Sequence, residues 1–189
     1  MSASAAAFGF RPAYHPSGID RPRAYTIASG YATAIFKGAP VLLTAAGTIT
    51  AGAATGDLLG IFAGVEYTDV GTGRRIVSNF WPAAQSATNI VAWVWDDPAM
   101  IYEAQTDGTS VLAQSAIGAQ LNCASPVAGS MTTGLSTSTL ASTTLTTTAQ
   151  AQFRVTDLGR GVDNALGDTF LILQVQIAQH QFVANKVAV

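Results

Sequence analysis

The chain has 189 residues, of which 49% are hydrophobic and only 11% charged, with a formal net charge of -2. That length suits one domain, or one domain with an arm, large enough to bury a real core. That negative balance and the presence of only two lysines, Lys37 and Lys186, give no sign of a basic surface that neutralises phosphates, so direct nucleic-acid binding is not expected.

Residues 1–24 read as an extended arm. Pro12, Pro16 and Pro22 remove backbone donors and hold their predecessors extended, while Phe8, Phe10 and Tyr14 supply apolar anchors between arginines. Such an arm has no core of its own and must pack on its own barrel or on a neighbouring molecule. Signal-peptide order is missing, and no apolar run approaches the roughly 20 residues of a membrane helix. Secretion by that route and membrane insertion are therefore not expected.

Residues 25–189 read as a single β-rich domain. Short β-favouring runs at Tyr25–Ala28, Tyr31–Phe36, Pro40–Val41-Leu42-Leu43 and Thr48–Thr50 alternate with glycine turns, a spacing that predicts an antiparallel barrel or sandwich. The clearest unit follows. Ile61–Tyr67 and Arg74–Trp81 flank the turn residues Asp69-Val70-Gly71-Thr72-Gly73, predicting a hairpin. Asn89–Trp95 is apolar on both faces, as in a strand covered on two sides. Its Trp93 and Trp95 are candidates for core or subunit contacts. After a turn at Asp96-Asp97-Pro98, Met100–Gln105 is another strand, and Ser110–Gln120 has near-helical spacing ended by Gly118. The Ser/Thr-rich segment at about 122–150 fits a mobile loop or a flat β-segment with hydroxyls facing water. Gln152–Leu158 is a strand. Thr169–Phe182 predicts a long final one, with Leu171, Leu173, Val175 and Ile177 sharing a dry face with Gln179, and Gln174, Gln176, Ala178 and His180 on a wet or subunit-facing side.

Catalytic chemistry finds little support. His15 and His180 are the only histidines, and no serine sits in a Gly-x-Ser-x-Gly elbow. Asp96 and Asp97 precede a proline and read as turn formers. Gly71-Thr72-Gly73-Arg74-Arg75 lacks the lysine and following helix of a phosphate loop, so it reads as the hairpin turn, with Arg74 and Arg75 free to pair with a partner surface. Cys123 is a lone thiol without metal-site spacing. No cofactor or metal is expected.

The phrases Phe10-Arg11-Pro12-Ala13-Tyr14-His15-Pro16-Ser17-Gly18, Tyr31-Ala32-Thr33-Ala34-Ile35-Phe36-Lys37-Gly38-Ala39-Pro40-Val41, Gly60-Ile61-Phe62-Ala63-Gly64-Val65-Glu66-Tyr67-Thr68-Asp69 and Ser78-Asn79-Phe80-Trp81-Pro82 together resemble small virion proteins of tailed phages, the head decoration or capsid cement proteins. The resemblance covers most of residues 8–120. It implies a β-rich, non-enzymatic homotrimer on the outer surface of an icosahedral capsid, bridging neighbouring major capsid subunits, often through a terminal arm. No catalytic residues come with it. Phe8, Phe10, Arg11, Tyr14 and His15 are then the expected capsid contacts, and Trp93 and Trp95 the expected subunit interface. On that reading, alanine at Phe10 and Tyr14 weakens attachment without unfolding the barrel. A sparsely charged surface suits this role, because obligate interfaces are depleted in charge. The alternative is a carbohydrate-binding or adhesive β-module that uses Trp81, Trp93 or Trp95 as a stacking platform.

Overall fold

The computed structural model describes residues 4–184 and is all-β. In chain order the strands are β1 (Arg11–Tyr14), β2 (Arg23–Ile27), β3 (Ile35–Phe36), β4 (Pro40–Leu43), β5 (Thr48–Ala51), β6 (Gly60–Asp69) and β7 (Arg75–Ser78). They continue as β8 (Phe80–Trp81), β9 (Ala87–Trp95), β10 (Ile101–Gln105), β11 (Gln120–Ala124), β12 (Thr139–Thr146), β13 (Phe153–Leu158) and β14 (Ile172–Ile177). Among the described residues no helix is long and apolar enough to cross a membrane.

The first sheet closes on itself. Its order is β4-β5-β2-β9-β6-β7, and β4 also pairs with the start of β6, so that five of these strands form a ring. The length of β6 makes this possible: Gly60 and Ile61 face β4, while Val65 to Thr68 face β7 across the hairpin anticipated from the sequence. Bulges in the β6–β9 ladder, one at Gly64 with φ +149°, supply the bend that closure demands. Ile27, Val41, Ile49, Phe62, Val65 and Val94 fill the ring. Trp81, wholly buried, joins them through the β3–β8 ladder and meets Tyr67 edge-on at 5.2 Å.

The second sheet runs β1-β10-β14-β13-β11-β12 and curls until Leu140 of β12 bridges Thr106, just past β10. Its core holds Tyr102, Leu121, Leu140, Phe153, Leu173 and Val175, with Leu58 and Ile61 reaching in from the barrel side. Final-strand alternation is as expected: Leu171, Leu173, Val175 and Ile177 are buried and Gln174 and Gln176 lie outward.

Three expectations change. The region 110–120 forms only a 3-10 turn, Gln114–Ala116, whose N-terminus lacks a side-chain cap; Gly118 and Ala119 instead bond to Val155, drawing the chain into the β11–β13 ladder. The Ser/Thr segment is in part the expected β-segment, β12, with Thr143 exposed, but three of its hydroxyls turn inward. Ser136, Ser138 and Ser142 are buried, and their hydroxyls donate to the Ala128 carbonyl, the Ser125 carbonyl and the Asp107 carboxylate, so hydroxyl bonds do the work that apolar side chains do elsewhere. Ala178 and His180 are buried rather than wet, because the last strand ends at Ile177 and the chain then turns under Asp96. His180 Nδ1 accepts the Phe182 N–H and its Nε2 lies 3.0 Å from the Asp96 carbonyl oxygen.

Candidate functional site

Among the described residues, the arm is fixed to the body at several points. The Phe10 ring is 1% exposed and stacks on Phe153 at 4.4 Å between centroids, within 13° of parallel. Its N–H donates to the Gly38 carbonyl at 2.8 Å. Gly9 has φ +73°, and a Cβ there would press on the Gly38 oxygen and Ser136, so only glycine passes between them. Further out, Gln105 holds the arm with both ends of its amide: it accepts from the Ala6 N–H and donates to the Ser4 carbonyl. β1 then joins the second sheet as an antiparallel edge strand on β10. The arm therefore belongs to the chain's own fold, and Phe10 does not offer its ring to an outside partner.

Above Phe10 lies a groove of about 280 Å³, lined by Phe8, Arg11, Pro12, Lys37, Trp95 and Leu135. Arg11 lies over the Phe8 ring at 4.8 Å and pairs with Glu103 at 2.6 Å. Among the described residues Lys37 makes no ion pair. The groove thus joins apolar walls to two cations, one partly neutralised and one open.

Beyond β1 the chain is tied to the Asp96-Asp97 turn. His15 Nδ1 accepts the Ser17 N–H at 3.1 Å, and its Nε2 lies 3.2 Å from Asp97 Oδ2. The Ala99 N–H, then His15, hold the Asp97 carboxyl below its ordinary range against the opposing effect of partial burial. Asp96, nearly inaccessible, accepts from the Tyr25 hydroxyl at 2.5 Å and sits 3.4 Å from Arg23. Burial, then the Asp96 carboxylate, pushes that hydroxyl up to about 12. The two aspartates form the expected turn, closed by the Met100 N–H to the Asp97 carbonyl, and also anchor the returning arm.

Of the residues singled out from sequence, Phe8, Phe10, Arg11 and Trp95 come together at the groove. Tyr14, 54% exposed, and His15 lie further along the arm. Trp93 stands apart, 38% exposed beside Gly64, Val77 and Asn79, so β9 has one face in the barrel and one open. Trp81 offers no stacking surface because it is in the core. Arg75 pairs with Glu66 of its own hairpin at 3.0 Å, which removes one of the two arginines left for a partner. Sequence reasoning missed Lys37 and Leu135. They meet only through a bridge between segments nearly a hundred positions apart, for which no local pattern exists. No family model, curated protein or solved structure matches this chain.

Proposed function

We propose that the protein is a non-enzymatic structural virion protein that binds the outer surface of an icosahedral phage capsid and cements neighbouring major capsid subunits, acting as a homotrimer. The observation that carries this reading is the groove beside the anchored arm. Its walls are built before any partner arrives, so little ordering entropy opposes docking. Phe8 and Trp95 suit an apolar side chain of an extended shell segment, and Lys37 and Arg11 suit a carboxylate on it. Phe10 holds the arm from below, His15 ties down its far end, and Tyr14 extends the arm's exposed surface. Contacts of this kind, spread over neutral and apolar surface, resist screening by salt better than isolated ion pairs. Trp93 and the 81% exposed Val77 form an outward apolar patch that suits self-association.

The test is co-sedimentation with mature shells stripped of their minor proteins. Full-length protein should bind saturably, at a fixed ratio to shell subunits, and the variant Phe8→Ala with Lys37→Glu should lose most of that binding while keeping its fold by circular dichroism. Absence of wild-type binding, or equal binding by the variant, would sink the proposal. Point variants are preferable to deletion of residues 1–24, which would also remove Phe10 from the core.

A further inference from the structure

A second hollow lies on the outer face of the second sheet. It is an open cleft of about 460 Å³ lined by Tyr14, Ile101, Thr156, Asp157, Arg160 and Gln174, within the roughly 300–1,000 Å³ span of small-molecule sites. Two bulges on different strands flank it. In β1 the register slips between Pro12 and Tyr14, and in β13 between Val155 and Asp157. Bulges re-aim side chains, and here the residues they displace, an aromatic and a carboxylate, line the same cleft.

The backbone that carries the polar groups is held in place, and their charges are left open. Among the described residues neither Asp157 nor Arg160 forms an ion pair, although both line the cleft. One Asp157 oxygen accepts the Leu158 N–H at 2.8 Å. The Arg160 loop is pinned at its base by Asn164, whose amide donates to the carbonyls of Gly159 and Ile172 and accepts the Ile172 N–H. Thr156 donates to the Gln174 carbonyl, which fixes the floor.

An exposed aromatic ring, a carboxylate, a guanidinium and a primary amide around one hollow match the two faces of a sugar. Axial C–H groups lie on the ring, while vicinal hydroxyls donate to the carboxylate and accept from the guanidinium. With one charge of each sign, the cleft favours a neutral sugar over an acidic one. We propose that this cleft binds a neutral hexopyranose unit of an oligosaccharide, with Tyr14 as the stacking platform and Asp157, Arg160 and Gln174 as hydroxyl partners. The cleft shares Tyr14 with the shell-binding arm but none of the residues lining the groove, and it moves the adhesive reading of the sequence from the tryptophans to a tyrosine.

The experiment is a titration of full-length, ¹⁵N-labelled protein with maltotriose and with tri-N-acetylchitotriose, using glycerol as the polyol control. At least one trisaccharide should give saturable amide shifts centred on Tyr14, Ile101, Thr156 to Arg160 and Gln174. Tyr14→Ala and Asp157→Asn should each weaken binding about tenfold, the scale of a lost stacking surface or charge-assisted hydrogen bond. Asp157→Asn should still sediment with shells as wild type does, so the two proposals fail separately. Lack of saturable shifts with both trisaccharides, equal shifts with glycerol, or unchanged affinity in both variants would overturn the assignment.

Discussion

Replacing Phe10 with alanine tests whether the arm belongs to the fold. The ring is 1% exposed, stacked on Phe153, and lies over a core shared with Tyr102, Leu173 and Val175. Truncating a buried phenylalanine costs about 3–5 kcal/mol, combining lost transfer energy with the cavity left behind. For a chain of this size each kcal/mol lowers the melting temperature by about 2–4 °C, so Phe10→Ala should melt about 6–20 °C below wild type. Phe8→Ala is the control: its ring is only partly covered, and it should cost under about 1 kcal/mol. Urea unfolding followed by tryptophan fluorescence measures both. A double-mutant cycle with Phe153→Ala should return a coupling of about 0.5–1.5 kcal/mol for the stacked pair. Equal midpoints for Phe8→Ala and Phe10→Ala, or zero coupling, would refute the argument. Phe10→Ala would then act at the surface, as the sequence alone suggests.

Two further outcomes follow from the titrating groups. Burial pushes the Cys123 thiol up to about 12, so an aromatic disulfide reagent at pH 8 should label it only as fast as the protein unfolds; stoichiometric labelling of native protein within minutes would contradict this. The Asp97 carboxyl is held below its ordinary value by the Ala99 N–H and His15, so it contributes stability above the unfolded carboxylate range near 4 and loses it as pH falls through the lower folded value. Asp97→Asn should therefore flatten the acid limb of the stability curve below about pH 4, and parallel curves for variant and wild type would show the reasoning wrong.

The sequence was most informative where one strand carries its own pattern. Leu171, Leu173, Val175 and Ile177 alternate strictly and lie on the buried face, and the turn at Asp69–Gly73 joins the paired strands β6 and β7. A barrel or sandwich was anticipated, but which strands close the ring was not legible, because closure depends on β6 having different neighbours along its two halves, and period-two alternation reports a face and not a neighbour. The Ser/Thr segment, part of which is the expected β-segment, was only half legible for a related reason. A hydroxyl buried against a carbonyl and one facing water look alike in sequence, and Ser136, Ser138 and Ser142 take the first option. Among the site residues, Phe8, Phe10 and Arg11 were marked by being aromatic or charged in a segment without periodicity. Their division into a buried ring and an exposed wall was fixed by Gly9, whose positive φ and tight surroundings bring the chain against Gly38. Asp157 and Arg160 could not be grouped with Tyr14 from sequence, since that convergence depends on two bulges in distant strands.

The stack of Phe10 on Phe153 also constrains the order of assembly. The ring-shaped core draws only on residues between Ile27 and Val94, all made early, whereas the other core joins Phe10, Leu58 and Ile61 to residues from Met100 to Ile177. During synthesis the barrel can therefore close while the first strand still lacks β10 to pair with and Phe153 to cover its ring. Contacts so distant along the chain carry the largest loop-closure cost and form late. Until the later strands emerge, the nascent chain carries an unpaired strand and an uncovered phenylalanine, open to capture by a neighbouring copy whose own strands are already complete.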